Sequence, residues 1–259
     1  MKKQLLVAVA AGLIGTSAMA QSAFEGFYGQ IATGYESNSV NSLNGTGVDN
    51  PKDNSDTNFS ASNQKFGGAP LVFGLGYNFA VTPQWLIGVG ADYSAISQTS
   101  SSFNYALTNA SGNSGIPSGY TASANGSSVQ LSNRFNIFVT PGYAIDKDKL
   151  VYLKAGYSSI SAKFNYPTTD VISGPAGTFT SADKGGSQSQ TYSGYVIGLG
   201  YKQMISDGFY GFAEGNYMGY GSQTISRTTT WSGGGGTSTT TSSPTINSYQ
   251  FLVGVGYKF

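Results

Sequence analysis

The chain has 259 residues and a net charge of +1, with charged residues at only 10% of positions, against roughly 25% in an ordinary soluble domain. Aromatics reach 14%, too many for a disordered chain, and the lack of any basic cluster beyond Lys2-Lys3 argues against a nucleic-acid partner. Cys and His both number 0, which removes disulfides, thiolate metal sites, the usual general base and the commonest transition-metal ligand together.

The chain opens with MKKQLLVAVAAGLIGTSAMA. Two lysines, an apolar stretch from Leu5 to about Ile14 and the small-x-small site Ala18-Met19-Ala20 read as a secretory signal. Cleavage after Ala20 is expected, dividing the chain into a signal peptide (1–20) and a single mature domain (21–259). The apolar stretch is too short to span a bilayer comfortably, and no long apolar run follows it.

Strand-like segments then come in order: Phe27–Tyr35, Leu71–Phe79, Trp85–Ala95, Val129–Tyr143, Val151–Ser158, Tyr195–Met204, Phe209–Tyr220 and Tyr249–Phe259. Side chains of a strand alternate between two faces. In the second segment one face collects Leu71, Phe73, Leu75, Tyr77 and Phe79, and the other Val72, Gly74, Gly76 and Asn78. The apolar faces carry aromatics at their ends and aliphatic or small residues in the middle. A bilayer explains that arrangement, because Tyr and Trp favour the headgroup level. Tyr77, Trp85, Tyr143, Tyr201 and Tyr257 are expected to form the lower aromatic girdle, with Tyr35, Tyr93, Tyr195 and Tyr249 toward the other end.

Short connections (AVTPQ, AIDKDKL, ISDG) alternate with long polar ones, the asymmetry of periplasmic turns and extracellular loops in outer-membrane barrels. The expected fold is an all-β, up-and-down antiparallel transmembrane barrel of about eight strands. Its last strand must pair with its first, because a bilayer tolerates no open edge. The repeated GLGY and GVG pieces (Gly74–Tyr77, Gly88–Gly90, Gly198–Tyr201, Gly254–Tyr257) sit inside strands and open no helix. They are therefore positions where a narrow interior needs small residues, not a nucleotide loop.

Parity places four charges on the inner face: Asp92, Arg134, Lys154 and Glu214. Outward placement of a Lys or Arg at mid-depth would cost about 2–4 kcal/mol. Arg134 shares its phase with Asn136 and Ser132. Asp92 and Arg134 fall at similar height on neighbouring strands and are expected to pair, while Lys154 and Glu214 lie lower and can meet across the lumen. Two acids and two bases would then cancel in a low-dielectric interior. In so narrow a ring these charges are expected chiefly to fill the lumen and satisfy polar side chains, the alternative being an ionic plug or a gated, narrow ion path.

The signal, the eight alternating segments and the terminal Tyr257-Lys258-Phe259 resemble small outer-membrane barrels of the OmpA/OmpX type. The resemblance covers the whole mature chain and implies a bacterial outer-membrane location, with outer-membrane lipids as surroundings. It also implies that Tyr257 and Phe259 act as the C-terminal signal read by the barrel assembly machinery. Nothing follows the eighth strand, so no peptidoglycan-binding domain is implied. The barrel enzymes of the outer membrane rely on His, so the resemblance and the missing base both point to a non-enzyme with no catalytic residue, cofactor or metal site.

The loops complete the reading. DNPKDNSD carries Asp49, Lys52, Asp53 and Asp56 without the spacing of a calcium loop, and reads as solvated. Asn44-Gly45-Thr46 and Asn125-Gly126-Ser127 match the glycosylation pattern by chance in Asn/Ser-rich sequence. The fourth loop, Arg227 to Thr245, is low in complexity and expected to be mobile around Trp231. The leading function is a surface protein with a structural, adhesion or host-interaction role, its ligand unknown; the alternative is a narrow pore for small solutes.

Overall fold

The computed structural model describes residues 22–50, 57–109, 121–182, 185–230 and 237–259. The expected cleavage site at Ala18 and Ala20, the loop residues Lys52, Asp53 and Asp56, and Trp231 lie outside the described residues.

Each segment with an apolar alternation is a strand, and most run beyond their apolar stretch. β1 (Gly26–Asn41) leads into three short strands, β2 (Gly45–Asn50), β3 (Thr57–Ser60) and β4 (Gln64–Gly68). β5 (Leu71–Ala80) and β6 (Trp85–Ser94) are followed by β7 (Gln98–Thr99) and β8 (Phe103–Asn109). β9 (Thr121–Asp146) and β10 (Lys149–Tyr166) are the first long hairpin, and β11 (Thr169–Gly174) and β12 (Gly177–Ala182) make a smaller one. β13 (Gly186–Ser206) and β14 (Phe209–Tyr220) precede the hairpin β15 (Ile225–Thr230) and β16 (Thr237–Ser242), and β17 (Thr245–Lys258) ends the series.

Eight of these strands pair antiparallel in a closed ring, β1–β5–β6–β9–β10–β13–β14–β17 and back to β1. Closure runs from Tyr28 opposite Lys258 to Asn41 opposite Thr245. No edge of the ring is left to expose its backbone groups.

The outer face of the ring is apolar all the way round. Leu75, Leu153, Leu199 and Phe251, on four different strands, each expose more than half of their surface. A continuous belt of this kind is unstable against water and fits a hydrocarbon surround. Leu199→Arg, between the upper and lower aromatic residues of β13, is expected to cost about 2–4 kcal/mol in a lipid bilayer and much less in water. Urea unfolding in vesicles is the check.

Beyond the belt, the long connections fold against one another. They build a second sheet in the order β12–β11–β9–β8–β3–β2–β16–β15, in which the first part of β9 carries on upward out of the barrel wall. This corrects the expectation of a mobile fourth loop, since Ser226 pairs with Thr241 and Thr228 with Thr239 across β15 and β16. Threonine is β-branched and fits a pleated strand, so a run of Thr that reads as low complexity still forms a hairpin here. The largest apolar cluster among the described residues joins the upper ends of the ring strands, with Val40, Val129, Ile160, Phe164 and Ile246, to Tyr105 and Ile225 of this crown.

The phase expected for Ser132 is also corrected. Asn133 has φ 52, and the β9–β10 register shifts between Ser159 and Ser161. The extra residue of this bulge reverses the alternation. Arg134 and Asn136 point inward below it, but above it Leu131 and Val129 take the buried phase and Ser132 does not. Asn tolerates the left-handed conformation better than most residues, and its side chain accepts a hydrogen bond from Tyr93 Oη at 2.9 Å.

Candidate functional site

The lumen is filled in layers. At the bottom, the turn before β1 tucks Phe24 under the barrel, where it packs with Leu86, Ala144, Leu150 and Tyr152. Asn78 Nδ2 donates to the Phe24 carbonyl at 2.8 Å and holds the turn in place. Above it, Tyr28, Tyr210 and Phe212 project inward from β1 and β14.

These rings fit because the strand beside each presents glycine. A Cβ on Gly200 would lie 2.1 Å from Tyr152 Cζ, and one on Gly256 would lie 2.3 Å from Tyr210 Cζ. The GLGY and GVGY pieces are therefore seats for aromatic rings in an interior too narrow for two large side chains at one level. Gly200→Val is expected to prevent closure of the folded form, which would be read as loss of the heat-modifiable band on a gel. Gly215, whose Cβ would meet nothing within 4 Å, is the control position, where Gly215→Ala should leave that band intact.

In the middle of the lumen Lys154 reaches over the glycine stripe of β13. Its Nζ donates to Glu214 Oε1 at 2.9 Å and to Asp92 Oδ2 at 2.6 Å, and lies 4.1 Å from the centre of the Phe138 ring. Each carboxylate has further donors. Asn136 Nδ2 reaches Asp92 at 2.6 Å, while Tyr152 Oη and Asn216 Nδ2 reach Glu214 at 2.7 and 2.8 Å. All three ions are at least nine-tenths buried, a placement that only pairing and hydrogen bonding make tolerable.

A second ion pair lies toward the crown. Arg134 spans the lumen from β9 to β1 and pairs with Glu36. Its other donors go to Asn38 Oδ1 and Ser248 Oγ, both at 3.0 Å, and to Tyr220 Oη at 3.1 Å. Glu36 is completed by Asn38 Nδ2 at 2.8 Å and Gln250 Nε2 at 3.0 Å. One guanidinium thus ties β1, β9, β14 and β17, matching its planar fork to several fixed acceptors.

The expected Asp92–Arg134 pair does not form. Asp92 faces Asn136 in register and Arg134 faces Ser94, one step higher. From there the guanidinium finds Glu36 and three neutral acceptors, and the long Lys154 stem brings its ammonium to Asp92. The expected balance of two acids and two bases is corrected as well, because Glu36 and Lys202 are also buried. Glu36 sits one residue past the aromatic Tyr35 and continues the inward phase of Tyr28 and Ala32. Lys202 continues the phase of Gly198 and Gly200. Parity carried one residue past Tyr35 finds Glu36, and parity applied within Tyr195–Met204 finds Lys202.

Lys202 has no ion pair or hydrogen bond among the described residues. Its ammonium is instead 3.9 Å from the Tyr28 ring centre, 4.8 Å from that of Tyr210 and 5.4 Å from that of Tyr152, within the range of cation–π attraction.

On the outer face, Trp85 lies against Tyr143 with ring centres 5.1 Å apart, and Phe27 against Tyr77 at 4.6 Å. Tyr257 touches both Phe209 at 4.7 Å and Phe259 at 5.1 Å. Tyr201 donates to Gln203 at 2.6 Å. At the other end Tyr217 contacts Tyr195 and Tyr249 at 6.0 and 4.9 Å. Phe259 is 77% exposed, and its amide donates to the Phe27 carbonyl at 2.9 Å. In the turn between β9 and β10, a hydrogen bond from Lys149 holds the Asp146 carboxyl below its usual range. Among the described residues no group of three or more Asp and Glu is placed to hold a metal ion.

A closed eight-stranded ring, an apolar outer belt and an interior filled by ions and rings define a transmembrane β-barrel of the small outer-membrane type. No protein-family description and no curated protein matches the chain. Among solved structures, the chain is similar to Ail, the attachment invasion locus protein of Yersinia pestis, at 13% identity and a TM-score of 0.38, covering 91% of this chain and 99% of that one. It is similar to OprG from Pseudomonas aeruginosa at 12% identity and a TM-score of 0.35, covering 91% and 96%. It is also similar to the outer membrane protease OmpT from Escherichia coli, at 11% identity and a TM-score of 0.38, covering 94% and 100%. The fold assignment rests on the ring itself.

Proposed function

We propose that the protein is a non-enzymatic outer-membrane surface protein, in which a closed barrel holds an ordered crown outside the cell for structural contact, adhesion or host interaction. The observation that carries this reading is the filled lumen: two buried ion-pair systems lie across it, with the largest apolar cluster, built mainly from the upper ends of the ring strands, above and Phe24 below. The absence of His and Cys from the chain supports a non-enzymatic role. Within the same reading, the chain loses residues 1–20 on export, Tyr257 and Phe259 are read by the barrel assembly machinery, and the aromatic rings sit at the headgroups of outer-membrane lipids.

Purified barrel in a planar bilayer is expected to stay silent, while cells displaying it bind a surface that cells lacking it do not. Sustained single-channel steps would instead establish the narrow pore. Swapping the β15–β16 hairpin for a two-residue turn should abolish binding and leave the folded band on a gel unchanged.

A further inference from the structure

Two tyrosine rings, Tyr28 and Tyr152, and a lysine without an ion pair line a small cavity in the described part of the lumen. The cavity has room of about 10 Å³ for the centre of a guest molecule, and Tyr28, Gln30, Thr140, Tyr152, Lys202 and Glu214 are among the residues lining it. A space of that size takes about one water. Lys202 is 5% exposed, and its three N–H donors have no acceptor among the described residues. The hydroxyls of Tyr28 and Thr140 are without a protein partner there too. Buried donors in native proteins are nearly always satisfied, by ordered water where protein does not reach.

Charge decides what the guest can be. The buried acids Glu36, Asp92 and Glu214 already match the buried bases Arg134, Lys154 and Lys202 one for one. An anion would bring a surplus negative charge beside Glu214, and a cation would face the Lys202 ammonium. A neutral molecule that accepts from one and donates to the other meets no such penalty.

We propose that this chamber holds one resident water, accepting a hydrogen bond from Lys202 Nζ and donating one to the Glu214 carboxylate. The water joins Lys202 to the Lys154–Asp92–Glu214 system, so that the six lumen ions fall into two linked groups: Asp92, Lys154, Glu214 and, through the water, Lys202 form one, and Arg134 with Glu36 form the other. The inference rests on the closed-lumen reading above.

Crystals of the detergent-solubilised barrel grown with bromide in place of chloride test it. One water oxygen is expected about 2.7–3.2 Å from both Nζ and a Glu214 oxygen, without anomalous scattering, and it should be gone in Lys202→Met. An anomalous bromide peak in the chamber, or an empty chamber in an otherwise closed lumen, overturns the bridge while leaving the closed barrel standing. An unbroken file of solvent from end to end overturns both. In solution, heat unfolding of Lys202→Met, Glu214→Gln and the double variant supplies the coupling. The double variant should lose less than the two single losses added together, and simple additivity counts against the bridge.

Discussion

Arg134→Ala should remove about 3–5 kcal/mol from the stability of the folded barrel, the cost of leaving one partner of a buried ion pair alone. Glu36 would keep its hydrogen bonds from Asn38 and Gln250 but lose the charge that balances it. Asn38 Oδ1, Ser248 and Tyr220 would lose a donor at the same stroke. The temperature at which the compact band converts to the unfolded band should fall clearly. Pairing the change with Glu36→Gln should recover part of the loss, since the stranded charge is then gone. If Arg134→Ala melts like the parent chain, the cross-lumen pair does not hold the barrel together.

Lys154→Met should do comparable damage by a different route. Here two carboxylates, Asp92 and Glu214, lose the one ammonium that both contact, and like charges then face each other in a medium that screens them poorly. The loss should again be about 3–5 kcal/mol near neutral pH. Protonating either carboxylate removes the repulsion, so the variant should regain stability as the pH falls, whereas the parent chain, with its charges paired, should not. Urea unfolding at neutral and mildly acidic pH separates the two. A variant equally weak at both would mean that repulsion between the two carboxylates does not set the damage.

The barrel itself was legible because its signal is local. Alternation in Leu71–Phe79 or Tyr249–Phe259 states which side chains share a face, and the closure of β17 on β1 follows from the need to leave no edge in lipid. The inward direction of Asp92, Arg134, Lys154 and Glu214 comes from the same parity. Their partners do not. Lys154 meets Asp92 over the intervening β9 and Glu214 over β13, and Arg134 meets Glu36 across the open width of the ring. Such contacts depend on the ring's diameter and stagger, which no single segment encodes.

Glu36 escaped for a simpler cause, since the apolar stretch of β1 ends at Tyr35 and the strand does not. The reversed phase at Asn133 needs a bulge, which leaves no mark in an alternating pattern until the partner strand is known. The crown was the least legible part. Its pairings, such as Gly45 with Ser242 or Thr57 with Asn109, join separate loops, and apart from the alternating Phe103, Tyr105 and Leu107 of β8 these loops are polar stretches with no apolar face to declare a strand.

The Arg134 tie has a consequence for how the barrel comes to exist. Glu36 and Gln250 face each other where β1 meets β17, and Ser248 lies on the same last strand. A chain with seven strands in place therefore has the guanidinium without its full set of acceptors, and Glu36 without one of its donors. The half-made cylinder is penalised electrostatically until the final seam is zipped, which disfavours lingering open intermediates and makes insertion an all-or-none event.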